Sequence, residues 1–217
     1  MPILMLINAF AMLAGAGGVP RASIAMGQQD NKTAEKIMGN CFSLLMILSV
    51  VLTVVFYVSA PQLLVMFGAS EATLPYALDY SRIYILGTVF VLIVMGMNPF
   101  ITTQGFAKIS MLTTIIGAVI NIVLDPIFIF ALDMGVKGAA LATVLSQAVG
   151  AVWILWFLNG KKTILRLKKE HFKLERKIML KEFVLENAIG SVVDLLSFAV
   201  EDGIAILVQG FFRLPFL

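Results

Sequence analysis

The sequence has few charged residues, one cysteine and one histidine. Only 13% of its 217 residues are charged, about half of the ~25% usual in soluble domains. Because Cys41 is the only cysteine, an intrachain disulfide and a cysteine-based metal cluster are excluded. By contrast, 60% of the residues are hydrophobic. This composition is typical of a membrane protein with several spans.

Six apolar runs reach or approach the length of about 20 residues that is needed to span a bilayer. The sequence therefore predicts an all-α membrane protein, a polytopic bundle of five to six transmembrane helices. We expect Pro61 to end the second run and residues 62–75 to form an interfacial loop. The runs cover residues 2–24, 37–60, 84–100, 109–132, 139–158 and 183–212.

Nine of the sixteen basic residues lie in one segment, residues 161–181. Clustering of this kind reflects membrane topology, so it does not indicate a nucleic-acid partner. Basic loops stay on the cytoplasmic side, which places this segment inside the cell together with residues 28–36 and 104–108. The histidine, His171, is expected to be a solvated loop residue of this segment.

Asp125 is the only charged residue in the apolar run 109–132. A charge near the centre of a spanning helix costs at least about 2.5 kcal/mol, so it indicates function. Asn121 precedes it by four residues and therefore shares its helix face, with β-carbons about 6 Å apart. Pro126 has no N–H, which leaves the carbonyl of Ile122 without its helical donor.

A carboxylate, an amide oxygen and a loose carbonyl suit a hard cation such as sodium. The same site suits a proton, because removal from water disfavours the ionised carboxylate. The residues themselves leave both ions open. The only metal expected is a sodium ion at Asp125, and no cofactor is expected.

Other polar residues in the spans are candidate partners of this site. Thr143 and Gln147 form a second pair four residues apart, and Asn98 offers an amide on the third run. Each could instead hold helices together by hydrogen bonds worth about 0.6 to 2 kcal/mol. The spans contain no paired aspartates, no histidine cluster and no serine with a plausible base, which argues against an intramembrane enzyme.

Several segments resemble the multidrug and toxic compound extrusion (MATE) transporters. The similarity runs from about Asn8 to Lys169, and its most specific part is the Asn-xxx-Asp-Pro block that contains Asn121 and Asp125. The similar segments are GAVINIVLDPIFIF at 117–130, GVKGAALAT at 135–143, residues 20–39 and residues 98–105.

The resemblance implies twelve helices in two six-helix lobes, about twice this length. Residues 1–160 would then be a partial N-terminal lobe, helices two to six, followed by a basic cytoplasmic linker at 161–181. Residues 182–217 would begin the second lobe, although they do not match its first helix. A truncated or disrupted gene product is one explanation, and the family's first helix, which carries a further acidic residue, would be missing.

The resemblance also implies a cation site formed by Asn121 and Asp125, with Thr143 and Asn98 at the matching positions and Gln147 as a further polar cavity residue. The leading hypothesis is a fragment of a sodium- or proton-coupled antiporter that exports drugs or other small, often cationic, organic compounds across the cell membrane. Its other partners would be the lipid bilayer and the missing helices. The alternative is a non-transporting scaffold or remnant whose polar residues serve helix packing.

Overall fold

The computed structural model describes residues 2–160 and 162–172 of the chain. The sixth apolar run, at 183–212, and the predicted second lobe lie outside these residues. Six α-helices form the described bundle, and a π-helical turn, Ile127–Ala131, extends the fifth. The helices are α1 Pro2–Gly27, α2 Asn31–Met66, α3 Leu74–Leu86, α4 Thr88–Thr103, α5 Ala107–Pro126 and α6 Gly135–Asn159, and a short 3-10 helix, Lys169–Phe172, follows.

Four helices of the described part are long and apolar enough to cross a membrane: α1, α2, α5 with its π-helical turn, and α6. A fifth span results if α3 and α4, which are bent by 58° relative to each other, are taken together. The prediction of an all-α membrane bundle is confirmed. Five of the predicted five to six spans lie in the described residues when the bent pair is taken as one.

The core lies where α1 packs against α2 and α4. Phe100 and Met97 of α4 and Leu45 of α2 are almost fully buried there. Gly18 of α1 makes the close approach possible, because a β-carbon at this position would collide with the sulfur of Cys41. Small residues at helix crossings are the usual solution in membranes, where van der Waals packing holds helices together.

Two predicted boundaries were wrong. Pro61 does not end the second run, since α2 continues to Met66. A proline inside a helix removes one hydrogen bond, but the neighbouring Ala60 and Leu64 are buried and hold the last turns in place. The sixth helix begins at Gly135, four residues before the predicted start, so the turn before it is shorter than expected.

The bend between α3 and α4 is stabilised by side chains around Gly87. The hydroxyl of Thr88 donates to the carbonyl of Ile85 at 2.6 Å, and the hydroxyl of Thr53 on α2 donates to the same carbonyl at 3.3 Å. The predicted run at 84–100 includes the bend without indicating it, because a hydrogen bond from another helix leaves no signal in the local hydrophobic pattern.

The two ends of the bundle differ in charge. We call one end the basic end; it carries the turns at 28–30 and 104–106 and the residues after α6. The other end carries the turns at 67–73 and 132–134. At that opposite end an exposed ion pair, with 3.4 Å between Lys137 and Asp79, joins α6 to α3.

Candidate functional site

Asn121 and Asp125 lie on the same face of α5, as their spacing predicts. The amide nitrogen of Asn121 donates to the Asp125 carboxylate across 3.5 Å. Both residues are half-buried. A contact of this length is at the outer limit of a hydrogen bond, so the amide and the carboxylate retain most of their capacity for another partner.

The helix changes character directly after Asp125. Residues Ile127–Ala131 form a π-helical turn, in which the Leu132 N–H reaches back to the carbonyl of Ile127 at 2.9 Å. Wide turns of this kind are rare and occur frequently at functional sites. Sequence reasoning missed the turn, although Pro126 at its start was the available signal, since proline disrupts the regular bonding pattern.

Helices α5 and α6 run antiparallel and are in contact at several levels. A β-carbon on Gly138 would lie 2.7 Å from the backbone of Phe128. Further along, a β-carbon on Gly117 would lie 4.0 Å from the carbonyl of Ser146. Position 143 falls between these contacts, at about the level of Asn121.

Thr143 is half-buried on α6. Its hydroxyl donates to the carbonyl of Ala139 in its own helix, at 2.9 Å, which leaves its oxygen lone pairs available as acceptors. Gln147 follows one turn later on the same face and is also half-buried. Along the bundle axis, Thr143 thus lies at about the same height as the Asn121–Asp125 pair, and Gln147 lies further towards the basic end.

Asn98 lies elsewhere. Its amide nitrogen donates to the carbonyl of Ser110 at 3.3 Å, near the start of α5. Ser110 precedes Asp125 by fifteen residues, which corresponds to about 22 Å along the helix axis. The prediction that Asn98 joins the cluster at Asp125 does not fit this geometry, because α4 and α5 meet at the basic end. The other amide atom of Asn98, its oxygen, is buried without a partner among the described residues.

The face of α5 around the pair is open. Thr113 is the one buried residue of α5, and the neighbours of Asp125 are well exposed, with 69% for Ile122 and 52% for Val123. A carboxylate at such a place needs cover by protein or contact with water, because lipid offers no hydrogen-bond donors. The site therefore opens towards the outside of the described bundle.

Two polar anchors at the basic end were also missed by sequence reasoning. Glu35 and Gln104 are both buried, and both bind the residues that follow α6. The available signal for Glu35 was its position inside the apolar helical pattern of Ala34, Ile37 and Met38. The expectation that His171 is solvated was wrong, since its side chain is only 16% exposed and packs close to Glu35.

Comparison with known proteins connects this arrangement to a family. The MatE family model matches residues 1–127, which include Asn121 and Asp125. The multidrug export protein MepA of Staphylococcus haemolyticus is 30% identical over 205 residues, which are 90% of this chain and 45% of that protein. MepA of Staphylococcus aureus is 26% identical over 167 residues, 76% of this chain and 37% of the relative.

Solved structures give the same result. A MATE crystal structure in the bent conformation superposes with a TM-score of 0.83 and 30% identity, covering 89% of this chain and 43% of that one. An inward-facing MATE family multidrug resistance transporter superposes with a TM-score of 0.81 and the same identity, covering 88% and 43%. The chain spans less than half the length of these relatives, and it belongs to the MatE family of multidrug and toxic compound extrusion transporters.

Proposed function

We propose that the chain is part of a cation-coupled antiporter that exports small organic compounds, often cationic, across the cell membrane. The relatives it matches are named as multidrug export proteins, and the match includes the block around Asp125. The observation that carries the proposal is the half-buried Asn121–Asp125 pair directly before a π-helical turn. In that geometry, the amide oxygen of Asn121 and the carboxylate oxygens of Asp125 remain available as ligands.

The proposed coupling site consists of Asp125, Asn121 and Thr143. Asp125 supplies the charge, the amide oxygen of Asn121 and the hydroxyl oxygen of Thr143 supply neutral ligands, and the carbonyl of Ile122 lacks its helical donor because of Pro126. Oxygen ligands of this kind suit sodium, and a proton on the carboxylate is the alternative. Gln147 is proposed as a polar residue of the adjoining cavity.

Ion binding at Asp125 would drive export only if the ion and the substrate prefer different conformations of the transporter. An ion that binds the outward-releasing form more tightly shifts the population towards it, by no more than its difference in affinity. In transporters built from repeats, binding sites lie between the moving units. The open face of α5 is consistent with a site completed by helices beyond those described, as the family resemblance implies.

We also propose the division of the chain that the resemblance implies. Residues 1–160 would belong to the N-terminal lobe, residues 161–181 to the linker between lobes, and residues 182–217 to the start of the second lobe. The basic end would face the cytoplasm. The protein would be a multi-pass protein of the cell membrane.

Ion-dependent stability of the chain in lipid nanodiscs tests the coupling site. A ligand that binds the folded state raises its stability by mass action. Sodium chloride, compared with choline chloride at equal ionic strength, should raise the melting temperature of the wild type if sodium is the ion. If a proton is the ion, the melting temperature should instead depend on pH. Either response should disappear in Asp125→Asn.

Asp133→Asn is the matched control, because Asp133 is exposed in the turn before α6. It removes the same charge without touching the proposed site. A sodium or pH response that survives in Asp125→Asn and is lost in Asp133→Asn would contradict the assignment. Export of a cationic dye by a full-length MatE relative, abolished by the substitution equivalent to Asp125→Asn, tests the transport activity separately.

The alternative function, a non-transporting scaffold or remnant, is favoured by one set of observations. Asn98 and Thr143 both donate to helix carbonyls, as residues that only hold helices together do. In that case the melting temperature of the wild type would not respond to sodium or pH, and Asp125→Asn would change it equally in sodium and choline.

A further inference from the structure

The residues that follow α6 do not leave the bundle. We call residues 163–172 the strap, because they turn back across the basic end. Leu165 is fully buried and Leu167 is 6% exposed. The backbone N–H of Leu167 donates to the carbonyl of Leu158 at 3.1 Å, which holds the strap against the end of α6. The strap is therefore packed like a structural element, although its sequence is that of a basic linker.

Glu35, in the first turns of α2, is the charged anchor of the strap. One carboxylate oxygen accepts from the backbone N–H of Arg166 at 3.0 Å. The other accepts from the ammonium group of Lys168 at 2.6 Å, and the Nε2 atom of His171 lies 3.7 Å from it. The Glu35 side chain is only 9% exposed, so the strap supplies donors that replace its water.

Gln104, in the turn between α4 and α5, is a neutral anchor. Its side-chain oxygen accepts from the hydroxyl of Thr163 at 2.6 Å and from the backbone N–H of Leu165 at 2.8 Å. Its amide nitrogen donates to the carbonyl of Phe100 at 3.0 Å. Gln104 thereby ties the strap to the last turn of α4.

A third contact fixes the end of the strap to α2. Gly39 forms a notch, because a β-carbon there would lie 2.8 Å from the β-carbon and the carbonyl oxygen of His171. The hydroxyl of Ser43 donates to the carbonyl of Phe172 at 3.1 Å. The rings of Phe42 and Phe172 pack with their centroids 5.2 Å apart.

We propose that the strap is a reversible clamp on the basic end, and that the charge of Glu35 fastens it. The clamp joins α2, α4 and α6, which are distant in sequence at this end. Docking is reversible because Glu35, Lys168 and the backbone N–H groups can all exchange their partners for water when the strap leaves. The proposal does not depend on transport and stands if the proposed function fails.

Backbone hydrogen exchange of the full chain in nanodiscs tests the clamp, because the N–H groups of Leu165, Arg166 and Leu167 are bonded only while the strap is docked. Glu35→Gln keeps the shape and an acceptor oxygen but removes the charge. We expect these amides to exchange about tenfold faster in Glu35→Gln, with exchange around Leu45 and Leu52 in the middle of α2 unchanged. The same substitution at exposed Glu71, in the turn at the opposite end, should have no effect.

A second pair of variants removes the partner charge. Lys168→Gln should also loosen the strap, because it leaves the buried carboxylate of Glu35 without its ammonium partner. The double variant should be less loose than the sum of the two single effects predicts, because both substitutions remove the same ion pair. Lys162→Gln removes an exposed charge beside the strap and should leave exchange unchanged. The proposal is overturned if Glu35→Gln leaves strap exchange at the wild-type rate, if all of α2 exchanges faster, or if Lys162→Gln loosens the strap as much as Lys168→Gln.

Discussion

Asp125 and Glu35 are both acidic residues on spanning helices, and their partners differ. Glu35 is surrounded by an ammonium group, an imidazole and a backbone N–H. Among the described residues, the carboxylate of Asp125 meets the amide of Asn121 at 3.5 Å. An ionised carboxylate can accept about four hydrogen bonds, so Asp125 retains most of its lone pairs for an ion, whereas the charge of Glu35 is already paired with the ammonium group of Lys168. This contrast separates the proposed ion site from the proposed clamp.

Asp30, just before α2, gives a prediction about pH. Its carboxylate accepts from the hydroxyl of Thr33 at 2.6 Å and from the backbone N–H of Thr33 at 3.1 Å. These bonds, the side-chain one first, lower the pKa of Asp30 below its usual 3.8. A lowered pKa means that the cap is fully formed above the unfolded-state pKa and is lost as the pH falls through the folded-state pKa.

We therefore expect the Thr33 amide to lose protection below about pH 4, the usual range of an aspartate. Hydrogen exchange, normalised for the intrinsic effect of pH, measures this. Asp30→Asn should keep the cap at every pH, because asparagine caps helices equally well without ionising. Asp30→Ala should lack protection throughout. Equal acid sensitivity of the wild type and Asp30→Asn would refute the role of the carboxylate.

The Asn121–Asp125 pair was predictable from sequence because four-residue spacing places two side chains on one face of any helix. The distance between Asn98 and Asp125 was not predictable in this way. It depends on which ends of α4 and α5 meet, and the short turn at 104–106 brings Asn98 to the start of α5, far from Asp125. The strap contacts of Glu35 were equally hidden, because they join residues more than 130 positions apart.

At the scale of the helices, the lengths of the hydrophobic runs predicted the spans. Local sequence signals such as proline predicted the helix ends less accurately. Pro61 was read as a helix end, yet α2 runs through it because packing around Ala60 and Leu64 outweighs one lost hydrogen bond. The bend at Gly87 depends on Thr53, which reaches Ile85 from another helix. Contacts between segments that are distant in the sequence determine where a helix ends or bends, so a short stretch of sequence does not reveal these features.

The bend provides a prediction for α3 and α4. Thr88→Val keeps the shape of the side chain and removes the hydroxyl that donates to Ile85 at 2.6 Å in a buried place. We expect a loss of roughly 0.5 to 1.5 kcal/mol in unfolding free energy. Unfolding in mixed micelles with an increasing fraction of denaturing detergent measures this free energy. Thr114→Val, at an exposed position of α5, is the control. An equal effect of the two substitutions would mean that the hydroxyl does not hold the bend.

A double variant shows whether the two hydroxyls act together. Thr53→Val alone should cost less than Thr88→Val, because its bond to the same carbonyl is longer, at 3.3 Å. The two substitutions combined should cost more than their sum, since the Ile85 carbonyl then loses its last side-chain donor while remaining buried.

The helices of the bundle are buried by their neighbours to different extents. Helices α1, α2, α4 and α6 contribute many buried residues to a common interior, whereas α5 contributes only Thr113 among the described residues. The relatives of this chain are more than twice as long as the part it matches. The least covered helix is also the one that carries Asp125, which agrees with a site that further helices complete.

We predict the orientation of the bundle from its charges, and this prediction can be tested directly. Lys32, Lys36, Lys108, Lys162 and Arg166 lie at the basic end, whereas the opposite side carries Lys137 and, within α3, Arg82. Basic residues in short loops remain in the cytoplasm. We expect a cysteine placed at Ser70 to react with a membrane-impermeant maleimide in intact cells, and a cysteine placed at Lys108 to react only after permeabilisation.

The wild-type chain serves as the background for this experiment, because its own Cys41 is 4% exposed and shielded by α1 and Phe100. Replacing Lys162 by cysteine gives a second report on the basic end, from the start of the strap. Both basic-end positions should behave alike, since Gln104 binds the strap and so joins the two segments on one side of the membrane. Labelling of Lys108→Cys in intact cells, with Ser70→Cys protected, would establish the inverted orientation and place the strap outside the cell.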